Sequence, residues 1–435
     1  MRFNYGKIFL LGFGFFGISI IWGVYNVYVP VYLAEKFHLS ISWIAFFMTL
    51  DNIAALLIQP PIGAWSDRLR TPIGRRMPFI LIGAPVGAIA FGFIPVAAIL
   101  PLFVTCTSTL LLSMAFWRTP AIALMPDITP SQYRSQANGI INLMGGVGFI
   151  VATLVGANLY EMNKSYPFWM GAVLVIIAAL LVFIFIKEPK EYAQNEKVPN
   201  ILESLVEVAT DKDKSTLRLL FAIFFWFLGY TAIEALFSLY GISHLGISES
   251  NAGRLMGDLS FLFVIFAIPA GIIGSRFGRR RTIITGIFLL SLVFIVFFFL
   301  SPATLLKPLF NLPLLGIVPS EGASAVLVVM GALMMVGGIG WSLININSLP
   351  MVVDMTGASR LGTFTGLYYL FSTLSAIVGP NLFGLVVTGT GNNYNSMMIV
   401  APITMFIAIV LMWGVKRGEA ATEPKVSEKV SLYPR

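Results

Sequence analysis

Apolar runs of about twenty residues recur along the whole chain, separated by short polar loops. This pattern predicts membrane-spanning helices rather than a water-facing core. In the N-terminal half the expected spans are Ile8–Leu33, Ile41–Trp65, Met77–Val96, Pro101–Met125, Ala137–Tyr160 and Phe168–Ile186. In the C-terminal half they are Leu217–Gly241, Asn251–Gly274, Thr282–Leu300, Ala325–Leu349, Leu361–Val387 and Met397–Val415. The one long charged stretch, Lys187–Thr216, separates the two sets. The expected organisation is therefore a six-helix bundle over 1–186, a linker over 187–216, a second bundle over 217–415 and a polar tail over 416–435. The tail is expected to be disordered.

Composition strengthens this reading. Hydrophobic residues make up 57% of the chain and charged residues 11%, against roughly 25% charged in soluble domains. The net charge of +8 does not point to nucleic acid, because the basic residues sit in short loops between spans. Those loops give an orientation. With the N-terminus cytoplasmic, only Lys36, Lys164 and Lys307 fall outside, so both termini and the linker are expected in the cytoplasm. The first span is too long for a signal-peptide core and lacks a small-residue cleavage site, so it is expected to be retained. Cys106 is the only cysteine, which leaves no disulfide framework and no cysteine-based metal site.

Two loop patterns repeat. Gly63-Ala-Trp-Ser-Asp67-Arg68 leads on to Gly74-Arg75-Arg76, and Gly271-Ile-Ile-Gly-Ser275-Arg276-Phe-Gly278-Arg279-Arg280-Arg281 is its counterpart 208 residues later. Asp127 to Arg134, before the fifth span, is matched by Asp354 to Arg360, before the eleventh. The repeats predict an all-α membrane protein of twelve helices in two pseudo-symmetric six-helix bundles.

On these motifs the chain resembles the major facilitator superfamily over nearly its whole length. The stretched first loop followed by Pro78-Phe79, the segment Asn347 to Asp354 with Gly362-Thr-Phe-Thr-Gly366, and Ala123 to Asp127 with Arg134 resemble the sucrose-transporter branch. That resemblance implies movement of a sugar or glycoside with protons. The plant sucrose carriers have an acid in the fourth helix associated with coupling. Here Thr105 to Met125 has no Asp or Glu and carries Arg118 instead.

Charges in the hydrocarbon cost roughly 2.5–3.5 kcal/mol each and mark pathways more often than packing. The intramembrane charges are Asp51, Arg118, Glu234, Arg254 and Asp258. Asp51, Glu234 and Asp258 are the candidate coupling acids. A fixed Asp51–Arg118 ion pair is the alternative for Asp51, and a local Arg254–Asp258 pair, four residues apart on one face, is the favoured reading for Asp258. The resemblance implies that the first, fourth, seventh and tenth helices line the cavity. Each has a tryptophan near its middle: Trp22, Trp117, Trp226 and Trp341. Membrane tryptophans normally sit at the interface, and flat aromatic faces suit pyranose rings. The candidate substrate residues are thus Trp22, Tyr25, Asn26, Trp117, Arg118, Trp226, Tyr230, Glu234, Trp341 and Asn345, with Asn347 also able to meet hydroxyls.

The candidate gating residues are Gly63, Asp67, Arg68, Gly74, Arg75, Arg76, Asp127, Arg134, Gly271, Arg276, Gly278, Arg279, Asp354 and Arg360. Their arginines can reach helix-end carbonyls and carboxylates such as Asp127, or serve orientation alone. The first copy, with Asp67, is expected to matter more than the second, with Ser275.

The leading expectation is a proton-coupled symporter in the plasma membrane, acting as a monomer on a small-molecule sugar or glycoside, without cofactor, metal or nucleic-acid partner. An exporter of drugs or metabolites is the alternative. Exporters of the superfamily often have Gly-x-x-x-Gly-Pro in the fifth helix, but Gly145 to Gly156 has no proline. An enzyme is disfavoured, because His38 and His244 lie at the outer edge and no nucleophile–base pair appears.

Overall fold

The computed structural model describes residues 5–129, 134–188, 201–300, 325–355 and 361–419. The side chains of Asp67 and Arg134, and the whole of Arg360, lie outside that description. In hydrocarbon every backbone polar group must find its partner within the protein, so the apolar runs close into helices. Among the described residues, eleven helices are long and apolar enough to cross a membrane, and the shorter Met77–Phe93 completes a set of twelve spans. The protein is all-α, with two pseudo-symmetric six-helix bundles. The first and seventh spans, Tyr5–Glu35 and Ser215–Leu245, are each 31 residues. At about 1.5 Å per residue they exceed a hydrocarbon core of about 30 Å.

Two spans depart from the expected continuous helices. The second is broken into Ile41–Phe47 and Leu50–Arg68. At the break the Thr49 N–H and hydroxyl both donate to the Phe46 carbonyl, at 3.0 and 2.7 Å. Asn381 of the eleventh span donates to the same hydroxyl at 3.2 Å. The fifth span runs Arg134–Ile150, loosens into a π turn over Val151–Val155 and resumes as Gly156–Met162. There Gly257 of the eighth span seats against Leu154 and Thr153. The linker contains a further amphipathic helix, Ile201–Thr210.

The spans alternate direction, so Tyr5, the linker helix and Glu419 share one face, here the terminal face. At the opposite, distal face the halves are joined. The Ser42 and Thr388 hydroxyls lie 2.8 Å apart. Gly384 lets the eleventh span cross Ala45 so closely that a Cβ there would sit 2.6 Å from the alanine methyl. Lys164 pairs with Glu249 at 2.7 Å, and Arg254 pairs with Glu161 at 3.0 Å. At the terminal face the described ion pairs run within a half or from linker to C-terminal half. The fourth and tenth spans, whose ends flank that face, share no extended interface among the described residues. Among the described residues, the polar ties between the halves therefore gather at the distal face.

Candidate functional site

The break at Thr49 places Asp51 in the first turn of Leu50–Arg68. Backbone N–H groups there have no helical acceptor and favour a negative neighbour. The Asp51 carboxylate accepts from the Asn52 amide at 2.8 Å. Arg118 of the fourth span, Tyr25 of the first and Glu234 of the seventh lie within its Coulombic range. Asp51 and Arg118 form no ion pair within 4.0 Å, so the expected alternative of a fixed pair is not realised among the described residues. The guanidinium instead sits over the Trp22 ring, 6.0 Å from its centroid, within the range typical of cation–π contacts. Trp22 meets Tyr25 edge-on at 5.7 Å. The Trp22 Nε1 and Tyr25 Oη are buried without a hydrogen-bond partner.

In the C-terminal half aromatic rings cluster around Tyr230 and Trp341, which are buried at 9% and 6% exposure. Tyr230 stacks on Trp341 with centroids 3.6 Å apart and planes within 6°. Phe227 meets Trp341 at 5.2 Å and Tyr368 at 6.1 Å. Tyr369 of the eleventh span is 56% exposed and lies within Coulombic range of Arg118. Glu234 is one turn beyond Tyr230. On its bundle side it borders an apolar void of about 10 Å³ lined by Phe237, Met256 and Leu259, barely room for one water.

Several expected site residues are turned elsewhere. Trp117 is 2% exposed and packs against Gly83 of the third span, where a Cβ would lie 2.6 Å from its own. Trp226 is fully enclosed. Asn347 donates to Ala270 O at 3.0 Å and Leu343 O at 2.9 Å, bracing the tenth span against the eighth. The local Arg254–Asp258 pair is absent. Arg254 reaches across to Glu161 and to Asn158 at 2.7 Å, because the neighbouring helix offers acceptors at the same depth. Asp258 stands against Gly331 of the tenth span. Asn26 and Asn345 are half-buried on the first and tenth spans.

The repeated loops make matching contacts. Asp127 receives Arg75 at 2.6 Å and Arg76 at 3.0 Å, and Arg76 also binds Ser66. Glu188, just past the sixth span, accepts the N–H groups of Arg75, Arg76 and Met77 at 2.9, 3.0 and 2.7 Å, capping the third span. In the other half Arg279 pairs with Asp354 and donates to Pro350 O at 3.1 Å. Glu419, past the twelfth span, accepts from the N–H groups of Arg279 and Arg280 at 2.6 and 3.2 Å. Gly74 and Gly278 have φ of +119° and +95°, and a Cβ on either would press on the capping glutamate. Gly63 and Gly271 seat the second and eighth spans on Thr119 and Ile346. Arg68 and Arg276 remain exposed, and Ser275 bonds only within its own helix, at 2.9 Å from Ile272 O. Sequence reasoning missed Glu188 and Glu419, whose signal was an acid at the same place after the last helix of each half. It also missed Tyr369.

The fold is thus two pseudo-symmetric six-helix bundles with charged and aromatic side chains of both halves near its middle. A profile of the Major Facilitator Superfamily matches residues 11–332, and the chain belongs to that family. It is 22% identical to multidrug resistance protein 1 of Bacillus subtilis over 61% of this chain and 64% of that protein. It is 26% identical to the cis,cis-muconate transport protein of Acinetobacter baylyi over 61% and 60%. The sucrose transport protein SUC3 of Arabidopsis thaliana matches at 25% identity over 35% of this chain and 29% of that protein. The chain thus spans less than two thirds of each of these relatives. Among solved structures, the nucleoside transporter NupG superposes with a TM-score of 0.70 at 19% identity, over 94% of this chain and 98% of that one.

Proposed function

We propose that the protein is a proton-coupled symporter of a sugar or glycoside. The observation that carries this reading is a pair of acids, one from each half, with aromatic rings close to Glu234 on the C-terminal side. Asp51 and Glu234 sit in each other's field without a fixed cation on either, and Tyr230 and Trp341 stand on the C-terminal side. Acids so placed can take up a proton before or with substrate. Aromatic rings can hold a pyranose face while Asn26 and Asn345 meet its hydroxyls. The partial match to a sucrose transport protein supports the same reading.

In this proposal the terminal face is cytoplasmic, in keeping with its arginine-rich loops, and the halves, tied at the distal face, are in the inward-facing state. The bundles over 1–186 and 217–415 rock about the site. The loop–carboxylate hooks brace each half while the distal contacts break. The test is uptake of a labelled sugar panel into proteoliposomes with and without an inward proton gradient. Gradient-driven sugar uptake supports the proposal. Extrusion of amphipathic cations without sugar uptake would establish the exporter reading, which the drug-resistance relative favours.

A further inference from the structure

Arg118 lacks what the other buried or interfacial arginines have. Arg75 and Arg76 share Asp127, Arg254 has Glu161 and Arg279 has Asp354. Arg118 has no hydrogen bond and no carboxylate within 4.0 Å among the described residues, although it lies within the membrane. Its guanidinium rests on Trp22, beside the unpaired donors Trp22 Nε1 and Tyr25 Oη. Donors and a full positive charge gather here without an acceptor in contact. Arginine presents a planar fork that matches a carboxylate in two parallel hydrogen bonds. A neutral hydroxyl would leave the charge unanswered.

The groups that face this site are few. Asp51 lies on the second span, Tyr25 on the first, Glu234 on the seventh and Tyr369 on the eleventh. With one cation and two acids, the empty site carries one net negative charge when all are ionised. Adding an anion is then favourable only if a proton arrives with it.

We infer that the substrate carries a carboxylate, which binds Arg118 above Trp22, and that the negative charge of nearby Asp51 opposes its binding. Protonation of Asp51 removes that repulsion, so proton loading and anion binding are one linked event. This rests on the symporter reading and narrows its substrate class to acidic sugars or glycosides.

The test is calorimetric binding to the purified full-length protein of methyl glucoside, methyl glucuronide and cis,cis-muconate. It is run at several pH values and in buffers of different ionisation enthalpy, to count protons. The glucuronide is expected to bind about tenfold to a hundredfold tighter than the glucoside, taking up about one proton. Arg118→Gln should erase that preference and Arg118→Lys should keep part of it. Asp51→Asn should bind the glucuronide without proton uptake. Equal or tighter binding of the glucoside, or a preference that survives Arg118→Gln, overturns the inference while leaving the symporter reading intact. Binding of muconate but neither sugar supports the anion site and overturns the sugar. Binding of none overturns both. The wild-type comparison needs no variant to fold.

Discussion

Lys164 Nζ lies 2.7 Å from Glu249, joining the loop after the fifth span to the start of the eighth across the two halves. Glu35, at the end of the first span, lies 3.7 Å from the same amine. The lysine side chain is 55% exposed and Glu249 17%, so the pair contributes about 0.2–1 kcal/mol. Lys164→Gln should therefore raise the population open at the distal face by up to about fivefold. Spin labels on the exposed distal residues Met162 and Asn392, read by pulsed electron resonance, check this. An unchanged distance distribution would remove the pair from the gate.

The loop glycines give a stability prediction with an internal control. Gly74 combines φ of +119° with a Cβ position that collides with the Glu188 carboxyl. Gly246 has φ of +67° and open space around its Cβ position. Gly246→Ala should cost about 1 kcal/mol from the backbone alone. Gly74→Ala should cost more, about 2–3 kcal/mol, because the cap on the third span must also shift. Thermal unfolding in detergent ranks the two, and equal losses would show that the Glu188 cap is dispensable.

Asp213, in the turn before the seventh span, is held below the ordinary carboxylate range. Its bonds from Ser215 are the chief cause, and Arg417 adds to them. Arg417 reaches it at 2.6 Å. A depressed folded value means the contribution is present above the unfolded value and is lost as pH falls through the folded one. Hydrogen exchange in residues 201–214 should thus accelerate as pH drops below about 4, once intrinsic rates are divided out. Asp213→Asn should show the faster exchange already at neutral pH.

The spans and the paired loops were legible in the sequence because they depend on composition along the chain. The bilayer demands apolar runs. What lay hidden depends on azimuth and on neighbours. Trp22, Trp117, Trp226 and Trp341 share a depth, but Trp117 faces Gly83 inside its bundle while Trp22 meets Arg118. The i, i+4 spacing of Arg254 and Asp258 suggested a pair, yet it says nothing about Glu161 on the adjacent helix. The break at Thr49 is silent in hydropathy, because a threonine between apolar residues reads as helix. Its hydroxyl bonds to Phe46 O and Asn381 become visible only in three dimensions. Glu188 and Glu419 sat among charges that read as solvated linker and tail.

Asp51 and Glu234 share a field, so their roles separate only by substitution. Asp51 stands at a helix N-terminus within Coulombic range of Arg118. Glu234 has an apolar void behind it and no cation among the charges acting on it. If Asp51 is the coupling acid, Asp51→Asn leaves a carrier that exchanges substrate but cannot concentrate it. A one-unit pH gradient drives at most about tenfold accumulation per proton, so the variant's accumulation ratio should fall to about one while counterflow persists. Glu234→Gln should instead weaken substrate binding and keep some gradient response. Proteoliposome uptake and counterflow, measured on both variants at one pH gradient, distinguish the assignments. Full accumulation by Asp51→Asn would move coupling to Glu234.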